Sequence, residues 1–138
     1  MKIAKEFNWE MGHRLPFHSG KCKNLHGHSY KLIVELEGDL NENGMLIDFY
    51  DLKEIINPII DELDHSFLVY KNDIELLEFL KKINSKYVII ENHSTCENIC
   101  KFLIQQISQT KIPENISSIK LRVYETIDAY AEEQMKLK

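Results

Sequence analysis

The 138-residue chain is poor in the residues that mark special architectures. Its three cysteines are too few, and odd in number, for a disulfide framework. Three prolines and five glycines exclude a collagen-like repeat and leave no Pro/Gly-rich linker to divide the chain. No apolar run approaches the ~20 residues of a membrane span. Met1–Glu10 mixes polar and apolar residues with no signal core, so a cytoplasmic location is expected. Positive charge is in the minority, 17 Lys and Arg against 22 Asp and Glu, which is unfavourable for nucleic-acid binding. Acidic residues are in turn missing from one stretch: none lies between Met11 and Lys31, which holds Arg14, Lys21, Lys23 and four of the six histidines. Such a cationic island on an acidic chain suits an anionic small molecule, or is simply a solvated basic loop. The composition is otherwise globular, 43% apolar and 28% charged, and one domain over residues 1–138 is expected.

Residues 3–13 alternate, with Ile3, Phe7, Trp9 and Met11 on one face, and so do 28–37, with Tyr30, Leu32, Val34 and Leu36; both predict half-buried strands. Phe49 to Leu63 has helical spacing behind an Asp48 N-cap, with Pro58 expected to kink it. A shorter helix follows around Asp73–Ile83, then a β-rich Tyr87–Ile90. Ser94-Thr95-Cys96-Glu97 has the spacing of a capping box ahead of a helix carrying Ile99, Cys100, Leu103 and Ile107. Ile119, Leu121 and Val123 alternate in a last strand. Four strands cannot close a packed barrel, and open edges invite pairing with another copy, so an oligomer is expected.

The chemistry gathers around His26-Gly27-His28. Residues two apart on a strand point the same way, and His28 continues the apolar face of Tyr30 and Leu32. His13 likewise extends the face of Trp9 and Met11. A hairpin of the two strands would bring three imidazoles to one end of a buried face. Three neutral histidines with an open fourth position form a catalytic zinc arrangement, and imidazole suits other first-row metals too; ordinary hydrogen-bonded loop histidines are the alternative.

Cys22 lies between Lys21 and Lys23, four residues before His26, where neighbouring cations would favour a thiolate able to act as base, nucleophile or ligand. Asp64-His65 could form an acid–base pair, or end a helix whose dipole favours the imidazole. Glu125 ends the face of Ile119, Leu121 and Val123, where a carboxylate needs a partner such as the adjacent N–H donors of a guanidine-like ring edge, unless the strand has already reached solvent. Cys96 and Cys100 read as small core residues, and His18 and His93 as loop residues. Zinc hydrolase chemistry would want a carboxylate base near the metal, and the sequence around the histidines offers none.

In order, FNWEMGHRL, CKNLHGHSYKL, GMLIDFYDLK, LDHSFL, STCENI and RVYET resemble the 6-pyruvoyl-tetrahydropterin synthase / 6-carboxy-tetrahydropterin synthase family, from about Phe7 to Thr126. The resemblance implies an α+β tunnelling fold (T-fold), an antiparallel four-stranded sheet with helices on one face. Subunits would join sheets into a trimeric barrel, two of which stack as a homohexamer. It also implies Zn2+ on His13, His26 and His28, a catalytic thiol at Cys22, and Asp64 and His65 completing a triad across a subunit interface. The pterin would be held by Glu125, helped by Glu97 and Thr95. The implied substrate is 7,8-dihydroneopterin triphosphate, with no nucleic-acid or membrane partner. Three residues separate Cys22 from His26, a spacing that resembles the bacterial carboxy synthases, which release triphosphate and acetaldehyde on the route to queuosine-type deazapurines. The pyruvoyl synthase activity, and a non-catalytic zinc- or pterin-binding module, are the alternatives. Ser94-Thr95 departs from the family's common Pro-Thr, and Glu75–Lys86 and His93 match no motif.

Overall fold

In a computed structural model, described over residues 1–137, one six-stranded sheet organises the chain. Its strands are β1 (Lys2–His13), β2 (His26–Gly38), β3 (Ser66–Tyr70), β4 (Tyr87–Ile90), β5 (Ile116–Thr126) and β6 (Ala129–Lys136), in the spatial order β4-β3-β1-β2-β5-β6. The helices are α1 (Phe49–Leu63), α2 (Ile74–Lys82) and α3 (Cys96–Ser108). No described helix is long and apolar enough to cross a membrane.

The α+β class agrees with expectation; the four-stranded antiparallel sheet does not. Pairing is antiparallel across β1, β2, β5 and β6, but β1–β3 and β3–β4 are parallel, so the sheet is mixed. The sequence hid β3 because Leu68 and Val69 are both buried, one on each face, which erases the alternation of a half-buried strand. It hid β6 because that edge strand is largely exposed and rich in charge.

The helices are not all on one face either. The main core joins Trp9, Tyr30, Leu32, Val34, Leu121 and Val123 of the sheet to Leu52 and Ile56 of α1 and to Ile99 and Leu103 of α3. Leu68 belongs to that core, whereas its neighbour Val69 packs with Leu76, Leu77 and Leu80 of α2. Adjacent strand residues face opposite ways, so α2 covers the other side of the sheet.

Asp48 caps α1, its Oδ1 accepting from Tyr50 N at 2.7 Å. The helix runs as one element through Pro58, which is exposed, so the carbonyl it leaves unpaired can meet water. The cap of α3 is Thr95 rather than Ser94: Thr95 Oγ1 accepts from Asn98 N at 3.2 Å. Ser94 is buried and donates its hydroxyl to the Arg14 carbonyl at 3.4 Å, so the expected capping box does not form. Thr95→Ala should therefore cost about 1 kcal/mol in denaturant unfolding, and Glu97→Ala less than about 0.5. A larger loss for Glu97→Ala would restore the capping box.

Candidate metal centre and its clefts

The register of β1 and β2 builds the centre. His13 pairs with His26, Gly12 with Gly27 and Met11 with His28, which puts three imidazoles at one end of the core face. Ring centroids are 4.6 Å apart for His13–His26, 5.2 Å for His13–His28 and 5.0 Å for His26–His28. One ring nitrogen from each histidine lies within 4.8 Å of the others. The glycines beside them allow close approach. A Cβ on Gly12 would stand 2.7 Å from the Phe67 ring of β3, and one on Gly27 3.1 Å from the Met11 carbonyl.

The imidazoles are oriented by backbone carbonyls. His13 Nδ1–H donates to the Ser94 carbonyl at 2.7 Å, and His26 Nδ1–H to the Asn24 carbonyl at 2.7 Å. Each bond fixes the tautomer that leaves Nε2 with a free lone pair. Both Nε2 atoms are buried and make no hydrogen bond. Burial holds the His13 pKa down at about 4, and the neighbouring histidines lower it further against the opposing Ser94 bond. Burial also lowers that of His28, against the pull of Glu125. Three converging imidazoles, two of them with buried and unsatisfied Nε2 atoms, fit a transition-metal ion with a nitrogen-preferring ligand set.

Glu125 reaches the same centre from β5, its Oε1 3.6 Å from His13 Nε2 and 3.7 Å from His28 Nε2. A carboxylate thus stands beside the histidines, although the sequence around them has none. A carboxylate base is therefore available near the metal site, arriving from far along the chain on β5.

Two clefts open on either side of His28. One, of about 400 Å³, is lined by Glu10, Gly12, His26, His28, His65 and Phe67 among others. The second, of about 460 Å³, is lined by His28, Lys31, Tyr124, Glu125, Thr126 and Ile127 among others. Asp64 and His65 do touch: Asp64 Oδ2 is 3.0 Å from His65 Nδ1, and Asp64 Oδ1 accepts from Glu10 N at 2.8 Å. The Glu10 N–H, then His65, holds the Asp64 carboxyl below the usual carboxylate range. His65 has a φ of +57°, and its N–H donates to the Glu10 carbonyl at 2.7 Å. An L-residue there costs on the order of 1 kcal/mol, and it keeps the exposed imidazole at the rim of the first cleft.

Cys22 is half-buried in the short turn Lys21–Lys23 and is not among the described residues lining either cleft. Glu97 is exposed, and the Thr95 hydroxyl serves its helix. Cys96 and Cys100 pack under β5 and β6, half-buried and buried, and burial raises both thiol pKa values. Of the cationic island, Arg14 is already committed, with two hydrogen bonds to Asp73 at 2.8 and 2.6 Å. Lys31 lies 4.2 Å over the Tyr124 ring, inside the Glu125 cleft. The Ser94 and Asn24 carbonyls escaped sequence reasoning because a backbone acceptor leaves no residue signature.

The fold is shared with solved 6-pyruvoyl tetrahydropterin synthases. That from Plasmodium vivax superposes with a TM-score of 0.80 at 22% identity over 99% of this chain and 98% of its own. That from Caenorhabditis elegans gives a TM-score of 0.70 at 24% identity, over 100% and 96%. Residues 2–135 match the family described as 6-pyruvoyl tetrahydropterin synthase; the chain belongs to that family and is an enzyme of it. Curated relatives carry a narrower name. A 6-carboxy-5,6,7,8-tetrahydropterin synthase of Haemophilus influenzae is 40% identical over 96% of this chain and 98% of its own. One of Aquifex aeolicus is 33% identical over 95% and 96%.

The depressed His13 pKa sets a pH dependence. Below about pH 6.5 the unfolded chain binds a proton that the folded chain refuses until about pH 4, so this part of the stability is complete above 6.5 and falls with pH. The metal-free protein should lose about 2 kcal/mol of unfolding free energy between pH 7 and pH 5, a window above most carboxylate titration. Equal urea midpoints at the two pH values would contradict the buried neutral imidazole.

Proposed function

We propose that this enzyme is a 6-carboxy-tetrahydropterin synthase. It converts 7,8-dihydroneopterin triphosphate and water to 6-carboxy-5,6,7,8-tetrahydropterin, acetaldehyde and triphosphate, on a route toward queuosine-type deazapurines. The observation that carries this reading is the three-histidine centre, with its inward Nε2 atoms, in a chain 40% identical to a curated enzyme of that name. His13, His26 and His28 would hold zinc, which when bound supplies Lewis acidity toward side-chain oxygens. Glu125 would accept the paired N–H donors of the pterin's aminopyrimidine edge. Thr95 and Glu97 are assigned to the pterin by resemblance alone. Cys22, as thiolate, would remove the proton from the reacting side-chain carbon. His65, held by Asp64, would shuttle protons at the rim of the first cleft, and triphosphate would leave by elimination. The single domain over residues 1–138 would work in the cytoplasm as a homo-oligomer, subunits joining at sheet edges into stacked trimeric barrels. A subunit interface would bring Cys22 toward a partner's Asp64 and His65.

The pyruvoyl synthase shares the elimination and stops before the side chain is cut. Incubation with dihydroneopterin triphosphate should give acetaldehyde and a carboxylated pterin in equal amounts; 6-pyruvoyl-tetrahydropterin without acetaldehyde would establish the other reaction. Cys22→Ala should keep metal and fold but lose at least about a hundredfold in turnover, the usual scale of a general base. Retained turnover would remove the thiol from the chemistry.

A further inference from the structure

Tyr30 is a buried polar group that the proposed chemistry leaves unused. Its side chain is 1% exposed, and its hydroxyl is buried without a hydrogen-bond partner. Leaving such a hydroxyl unsatisfied is costly, while phenylalanine would fill the same space without that cost. The ring is fixed on several sides. It stacks on Trp9 at 5.1 Å and 15°, and meets His28 edge-on at 5.5 Å and His13 at 6.3 Å. The register places Glu125 near it. Lys31 and Tyr124 form the last pair of the β2–β5 ladder, so Tyr30 and Glu125 are the next residues on the two adjoining strands, on the core face that carries His28. A carboxylate offers only acceptor oxygens, so a phenol O–H beside it can act only as the donor.

We propose that Tyr30 is a positioning residue for pterin recognition, its hydroxyl donating to the Glu125 carboxylate and aiming the other oxygen's lone pairs at the ligand's N–H edge. This rests on the reading of Glu125 as the pterin anchor. As it stands, one carboxylate oxygen lies near the nitrogens of His13 and His28. A carboxylate that must serve a ligand instead needs a second donor to fix its rotamer, and the rigid, stacked phenol supplies one. A hydrogen bond to a charged acceptor is among the stronger neutral-donor contacts, so its loss should be measurable in affinity.

The test is a double-mutant cycle on the zinc-loaded protein, with biopterin as the probe and calorimetry as the measure. Tyr30→Phe should keep zinc content and thermal stability, or gain stability, yet weaken biopterin binding by about tenfold. Glu125→Gln should weaken it at least as much, and adding Tyr30→Phe to Glu125→Gln should cost less than about twofold more, because the two act as one unit. Full independence of the two losses, or unchanged affinity in Tyr30→Phe with Glu125→Gln impaired, would overturn the role of Tyr30. Unchanged affinity in Glu125→Gln itself would instead overturn the anchor. A fall in zinc content in Tyr30→Phe with normal biopterin affinity of the loaded fraction would likewise overturn the proposal, assigning the hydroxyl to the metal centre.

Discussion

The register between β1 and β2 is the constraint on which the site depends. His13 opposite His26 and Met11 opposite His28 puts three nitrogens within reach of one another. A slip by one residue would turn Trp9, Met11 and His13 to the opposite face of the sheet. What prevents the slip is the core itself: Trp9, Met11, Tyr30, Leu32 and Val34 are all buried on that face and could not be turned to water together. The apolar pattern that folds the hairpin is therefore also what aims the imidazoles. Gly12 and Gly27 let β1, β2 and β3 close tightly beside them.

That arrangement has an energetic cost in the metal-free chain. The Nε2 atoms of His13 and His26 are buried and unpartnered, and Glu125 stands 3.6 Å from that of His13 and 3.7 Å from that of His28, beyond hydrogen-bond distance. Burial prevents protonation from satisfying the His13 ring. Such a centre is relieved by a cation that accepts lone pairs from neutral rings, and metal binding then adds to folding free energy. The same logic extends outward. Ser94 ties the loop before α3 to His13, and Asp73 ties α2 to Arg14, so helices on opposite faces of the sheet both restrain the end of β1.

Alternation made β1, β2 and β5 legible in the sequence, together with the convergence of His13, His26 and His28. It could not show β3, whose two faces are both covered, or β6, whose charged edge resembles surface helix. The cap of α3 was misplaced by one residue because Ser94 and Thr95 are both good cap residues. The tertiary pull of Arg14 on Ser94 decided between them. Asp64-His65 was legible as a pair, but the left-handed backbone at His65 was not, since glycine or asparagine would be the expected choice there. Glu125 was legible as a carboxylate ending an apolar strand face, either in need of a partner or already at solvent; it is half-buried, and its nearness to the histidines emerged only from β5 lying beside β2.

The central claim is that three imidazoles, and no thiolate, bind one metal ion in each chain. Zinc X-ray absorption fine structure on the purified protein tests it most directly. The account predicts one zinc per chain with three imidazole nitrogens at about 2.0–2.1 Å, the remaining contacts being oxygen. A sulfur shell at about 2.3 Å would make Cys22 a ligand rather than a base, and absence of imidazole scattering would contradict the centre itself.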